Sequence, residues 1–130
     1  MTTRLPRLLL AFASLILGLG GLSHAAAFPK ALAAIAPSGL PAFYAGSYKA
    51  LWLADSCTLI TLAIVFGVVV VRPAAVNGFV VALLALIPAA TAVLIYVFVG
   101  SFLPAHLLLA AAVAAFVAGL MHPRAIPAAS

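Results

Sequence analysis

Acidic residues are almost absent from this sequence. Its 130 residues include a single Asp or Glu, and only 5% of the residues are charged, whereas 68% are hydrophobic. A soluble domain carries charge on roughly a quarter of its residues, so the composition excludes an ordinary water-soluble fold. Intrinsic disorder is excluded as well, because it requires low hydrophobicity and a high net charge. With a mean hydropathy of +1.41, the chain is predicted to be an integral membrane protein.

Cysteine and clustered basic residues are also scarce. Cys57 is the single cysteine, which excludes an internal disulfide and any paired-cysteine metal or redox motif. The six Lys and Arg residues give a formal charge of +5, but they are dispersed and offer no cluster for a nucleic-acid backbone. Phosphate-binding loops and hydrolase signatures are missing. We therefore expect no nucleic-acid partner, cofactor or bound metal, and nothing in the sequence indicates an enzyme.

Long hydrophobic runs, by contrast, occur four times. About 20 helical residues cross a hydrocarbon core that is about 30 Å thick, and each run is long enough. Because the runs are apolar on every face, they predict helices rather than the alternating strands of a barrel. The sequence thus predicts an all-α, four-helix bundle in the lipid bilayer, formed by one domain. The predicted spans are residues 8–27, 50–71, 78–99 and 104–121, with the longest connection after the first.

The distribution of cations predicts the orientation of these spans. Cytoplasmic loops carry an excess of Lys and Arg, and four of the six cations share one side of a four-span chain. We therefore expect a bacterial inner (plasma) membrane protein with both termini in the cytoplasm. The cytoplasmic group is Arg4, Arg7, Arg72 and Arg124, and the opposite group is Lys30 and Lys49.

The first apolar run also fits a cleavable signal peptide. Arg4 and Arg7 precede the run, and the small residues Ser23 and Ala25 resemble a cleavage site. However, an apolar stretch of about 20 residues is long for a signal core and typical of a membrane span. A retained span is therefore the favoured interpretation, and cleavage would leave three spans.

Small residues recur at helical spacing in the first and fourth spans. Helices in lipid associate through close backbone approach, so such stripes predict packing interfaces within the bundle, with contacts between copies as the alternative. In the third span, Pro88 removes a backbone hydrogen bond and predicts a kink. The two stripes are Ser14, Gly18 and Gly21, and Ala110, Ala114 and Ala118.

Asp55, the only acidic residue, lies inside the second predicted span. A carboxylate in hydrocarbon is costly, so such residues face the bundle interior and find a partner. Helical spacing places Tyr48 and Trp52 on the same side as Asp55. His24 ends the first span and His106 begins the fourth, at the same end of the bundle. The sequence predicts an outward-facing polar pocket in which Asp55 holds or relays a proton, with a histidine as its partner.

Other interpretations of these residues stay open. Asp55 could instead lie close enough to the lipid headgroups to fix only the depth of its helix. Two histidines and one carboxylate could bind a metal, and His24 with His106 could be axial ligands of a haem. His122 belongs to the opposite end of the bundle and is interpreted as a tail residue.

The sequence RLLLAFASLILGLGGL at residues 7–22, together with four spans and a length near 130 residues, resembles the DoxX-like group of small bacterial four-helix membrane proteins. This resemblance implies an accessory protein of respiratory or redox membrane complexes.

Two classes of function stay open. The favoured one is a non-enzymatic membrane module or accessory subunit within a homo-oligomer or a larger membrane complex. The alternative is a small carrier, or a quinone- or proton-handling protein, that uses the Asp55 pocket.

Overall fold

The computed structural model describes residues 4–121, and within this range every regular element is helical. The all-α class predicted from the sequence is therefore confirmed. Arg124 and His122, for which the sequence made predictions, lie outside the described residues. The helices are α1 (Arg4–Ala26), α2 (Phe28–Ile35), α3 (Ala42–Val71), α4 (Gly78–Leu84), α5 (Leu86–Phe98) and α6 (Leu103–Leu120), with short 3-10 helices at Ala36–Ser38 and Pro73–Ala75.

Four helical segments of the described chain are long and apolar enough to cross a membrane, which indicates a multi-pass membrane protein. They are α1, α3, the α4–α5 pair and α6. The end of the molecule where α1 stops and where α3 and α6 start is called the α2 end here. The opposite end, where α3 stops and α4 starts, is called the α4 end.

The connection between the first two spans is more ordered than the sequence predicts. α3 begins at Ala42, directly after Pro41, about two turns before the predicted start at residue 50. Its 30 residues extend about 45 Å, which exceeds the roughly 30 Å of the hydrocarbon core. Hydropathy misses these first turns because Gly46 and Lys49 lower it there. The predicted loop therefore contains α2, a 3-10 helix and the start of α3.

The third span is interrupted at Ala85, three residues before Pro88. Pro88 has no N–H to donate to the carbonyl of Leu84, and its ring crowds that same carbonyl. The helical hydrogen bonds resume weakly, with Ala89 N at 3.4 Å from Ala85 O. The irregularity expected from Pro88 is thus a one-residue break between α4 and α5.

α1 and α6 occupy the central positions of the molecule. α1 packs against both α3 and α6, and α6 packs in turn against α4 and α5. Phe66, Leu10 and Leu17 are among the largest fully buried side chains, whereas many large apolar side chains on the outer faces are exposed. In a membrane-spanning bundle, these outer faces are the ones that contact lipid chains.

The small residues predicted for α1 face α3. A Cβ added at Gly18 would lie 3.5 Å from the Ala63 Cβ, and one at Gly21 would lie 2.8 Å from Ile60 Cγ1. The Ser14 hydroxyl donates a hydrogen bond to Ala63 O at 2.7 Å. These residues let the two helices approach closely and link them by a hydrogen bond across the interface.

The small residues of α6 differ in part from the prediction. Ala114 and Ala118 are buried, but Ala110 is exposed and lines a groove instead of a helix interface. The closest approach of α6 to α4 is at Gly119, which lies outside the predicted stripe. A Cβ added at Gly119 would lie 2.7 Å from Gly78 O and 2.7 Å from Ala82 N, both backbone atoms of α4.

Candidate functional site

His24 and Asp55 meet at the α2 end, between the last turn of α1 and the body of α3. His24 Nδ1 lies 3.8 Å from Asp55 Oδ2, and the two side chains are 31% and 34% exposed. The antiparallel packing of α1 on α3 through Gly21 brings the two residues to the same level. Of the two histidines predicted as partners for Asp55, His24 is the one in contact with it.

Ser56 fixes the hydrogen bonding of the imidazole. Its hydroxyl is buried and lies 2.9 Å from His24 Nδ1 and 3.1 Å from the Trp52 carbonyl oxygen. A carbonyl can only accept, so the hydroxyl donates its single hydrogen to Trp52 O and accepts one from His24 Nδ1–H. In neutral His24, the unprotonated nitrogen is therefore Nε2.

Trp52 covers one face of the imidazole. The two rings are stacked, with centroids 4.1 Å apart and planes 8° from parallel. The indole N–H also donates a hydrogen bond to the His24 carbonyl oxygen at 2.8 Å, which satisfies an acceptor in the last turn of α1. Tyr48 lies outside this stack, with its ring centroid 5.7 Å from that of Trp52. His24, Trp52, Asp55 and Ser56 are called the His24 cluster below.

His106 lies elsewhere, at the start of α6. Its Nδ1 is 2.8 Å from the Phe102 carbonyl oxygen, and its ring meets Tyr96 edge to face at 5.5 Å. Within residues 4–121, no hydrogen bond, ion pair or ring contact joins His106 to His24 or Asp55. Of the two histidines that the sequence offers as a partner for Asp55, the structure therefore places His24, and not His106, beside the carboxylate.

The separation of His106 from His24 and Asp55 bears on two other interpretations of these residues, a metal site with three ligands and a haem held by two histidines. Over the part of the chain that the structure describes, no three His, Cys, Asp or Glu side chains are grouped closely enough to hold a metal ion. The structure thus does not assemble the hypothetical metal set of His24, His106 and Asp55, and it does not pair the two histidines as a haem would require.

Sequence reasoning missed Ser56, the residue that orients His24. Ser56 follows Trp52 by four residues on α3, a spacing at which a hydroxyl bonds the carbonyl one turn earlier. That spacing indicates a bond within the helix, but it does not reveal that a histidine from another helix shares the hydroxyl.

Comparisons of this chain with protein-family models, with curated proteins and with solved structures find no match. The fold and the site define the protein by class: a helical membrane protein whose described residues contain four candidate spans and a polar cluster near one end.

Proposed function

We propose that this chain is a small multi-pass membrane protein that handles protons through the His24 cluster. The observation that carries the proposal is the 3.8 Å contact between His24 and Asp55, which belong to two membrane-spanning helices. Histidine is the side chain whose charge changes most readily near neutral pH. Ionisable residues within membrane spans are, by default, candidates for proton or ion pathways.

The hydrogen bonds of the cluster favour one nitrogen of His24 as the atom that takes up a proton. Because Ser56 holds Nδ1–H, the incoming proton binds at Nε2 of His24. The imidazolium then has a carboxylate oxygen of Asp55 at 3.8 Å and the indole face of Trp52 at 4.1 Å. Both groups interact favourably with positive charge, the carboxylate by Coulomb attraction and the indole by a cation–π interaction. Protonation of His24 therefore places a positive charge beside the carboxyl group of Asp55.

Proton movement in proteoliposomes tests this proposal. With a pH gradient across the vesicle membrane and a pH-sensitive dye inside, we expect wild-type protein to move protons faster than protein-free vesicles. His24→Gln keeps a polar side chain of similar size but removes the imidazole, so we expect its rate to fall to that of protein-free vesicles. Equal rates for wild type, His24→Gln and protein-free vesicles would refute the proposal.

The proposed orientation places the α4 end in the cytoplasm of a bacterial cell. Arg4, Arg7 and Arg72 belong to that end, whereas Lys30 and Lys49 belong to the α2 end, and the excess of cations favours the cytoplasmic side. The His24 cluster then lies near the outer surface of the inner membrane.

Cysteine labelling measures this orientation. The native cysteine is first removed by Cys57→Ala. A single cysteine is then introduced at an exposed position, Ser38→Cys to measure labelling at the α2 end or Ala74→Cys to measure it at the α4 end. We expect a membrane-impermeant maleimide added to intact cells to label position 38 and to spare position 74. The reverse pattern would show that the orientation is inverted.

A second candidate function is a non-enzymatic accessory subunit, as the DoxX-like resemblance of residues 7–22 implies. One observation favours it: the bonds from Trp52 to the His24 carbonyl and from Ser14 to Ala63 O fasten α1 to α3, which is a structural role. In this case the His24 cluster serves to stabilise the fold, and the protein acts by assembling with other subunits or with itself. Purification in a mild detergent tests this candidate, because it predicts stoichiometric subunits that survive a second purification step.

A further inference from the structure

A groove runs along one face of α6, separate from the His24 cluster. Its volume is about 480 Å³, and it is called the α6 groove here. Binding sites for small molecules span about 300–1,000 Å³, so the groove is large enough for one. Its lining includes His106, Leu109, Ala110 and Val113 of α6, Tyr96 of α5 and Leu9 of α1.

The α6 groove exists because several side chains on this face of α6 are small. Ala110 and Ala114 lie in the middle of the groove, where their methyl groups leave room between α1 and α5, which flank α6 on either side. The lining extends along α6 from His106 to Val117, a distance of about 16 Å at the rise of an α-helix. The groove is thus elongated, and its direction is that of the membrane-spanning helix.

The two polar side chains of the lining, His106 and Tyr96, belong to turns near the α2 end of the groove. His106 Nδ1 lies 2.8 Å from the carbonyl oxygen of Phe102, so Nδ1 carries the hydrogen and donates it. In the neutral ring, Nε2 is therefore an acceptor, with the Ser101 hydroxyl at a long 3.4 Å. The edge-to-face contact with Tyr96 fixes the ring plane. An acceptor nitrogen at one end and hydrocarbon side chains along the rest match an amphiphile with a donor headgroup and a hydrocarbon chain.

From this match we infer that the α6 groove binds a single-chain lipid with a hydroxyl headgroup, such as a long-chain alcohol. The chain lies against Ala110 and Val113, and the hydroxyl donates a hydrogen bond to His106 Nε2. His106 is the fourth residue of a membrane-spanning helix, so the headgroup lies near the interface and the chain points into the hydrocarbon, as it does in a bilayer leaflet.

Photolabelling tests this inference with defined probes. The first probe is hexadecanol with a diazirine in mid-chain, and the second is its methyl ether, which has the same chain but no hydroxyl hydrogen. In proteoliposomes we expect the alcohol to label groove residues, to be displaced by excess unlabelled hexadecanol, and to label about fivefold more than the ether, the ratio that one net hydrogen bond gives.

Three variants complete the test. Ala110→Phe fills the groove from an exposed position and should abolish the displaceable labelling, whereas Ala90→Phe adds the same bulk on an exposed part of α5 outside the groove lining and should leave it unchanged. His106→Phe should equalise the labelling by the alcohol and the ether. Labelling that excess hexadecanol does not displace, or that Ala110→Phe leaves intact, would show that only annular lipid is present and would overturn the inference.

Discussion

Gly119→Ala is expected to destabilise the protein by about 3 kcal/mol, at the upper end of the range for overpacked cores. The added methyl group would lie 2.7 Å from Gly78 O and 2.7 Å from Ala82 N. These are backbone atoms of α4, which cannot rotate away as the end of a flexible side chain can. α4 and α6 must therefore separate, which opens the most tightly packed contact of the third and fourth spans. Thermal unfolding in detergent, followed by circular dichroism and by size-exclusion chromatography, measures the effect.

Gly20→Ala is the matched control for this prediction. Gly20 lies within α1, six residues before its end, and a Cβ added there would have no atom within 4 Å. Alanine has a higher helix propensity than glycine by up to about 1 kcal/mol, so this variant should be as stable as wild type or slightly more stable. Equal stability of Gly119→Ala and Gly20→Ala would contradict the close α4–α6 contact.

Asp55→Asn is expected to lower the proton flux by about tenfold, which corresponds to about 1.4 kcal/mol and lies between the values for exposed and buried ion pairs. Asparagine keeps the size and the polar character of the side chain but removes its charge. An imidazolium at His24 would then have no compensating charge among the groups in contact with it. The initial rate of proton movement in proteoliposomes, normalised to the amount of reconstituted protein, measures the effect.

Asp55→Ala separates the functional role from the structural one. If Asp55 supplies charge, Asp55→Asn and Asp55→Ala should both fold, and both should lose flux. If the carboxylate only fastens the helices, the two variants should instead lose stability together, and any loss of flux should follow the loss of folded protein. Wild-type flux in both variants would contradict the proton-handling function.

The sequence predicts the spans well because membrane crossing is governed by hydropathy over about 20 residues. It fails at the start of α3, where polar residues such as Ser47 and Lys49 lower the hydropathy although the helix continues from Ala42. The sequence also fails to single out Gly119. Gly119 follows Ala115 by four residues, just as Ala118 follows Ala114, so helical spacing does not distinguish the two rows. Only the position of α4 shows that this residue faces the backbone of another helix.

The sequence predicts the depth of the candidate site in the membrane but not which of its side chains are in contact. Helix length and topology give the depth of a residue along the membrane normal, and on that basis His24, Asp55 and His106 belong to one end. Depth does not give the position around the bundle. α1 packs directly against α3, which brings His24 to Asp55, whereas His106 starts α6 and contacts Tyr96 of α5.

The fluorescence of Trp52 tests the central claim most directly, because Trp52 is the single tryptophan of the chain. Its indole is stacked on the imidazole of His24 at 4.1 Å, and a protonated imidazole in contact with an indole quenches indole emission by accepting an electron from the excited ring. We predict that the emission of wild-type protein falls as His24 becomes protonated on acidification, that His24→Gln abolishes this change, and that His106→Gln preserves it. A pH response that persists in His24→Gln, or that disappears in His106→Gln alone, would contradict a proton-binding site at His24.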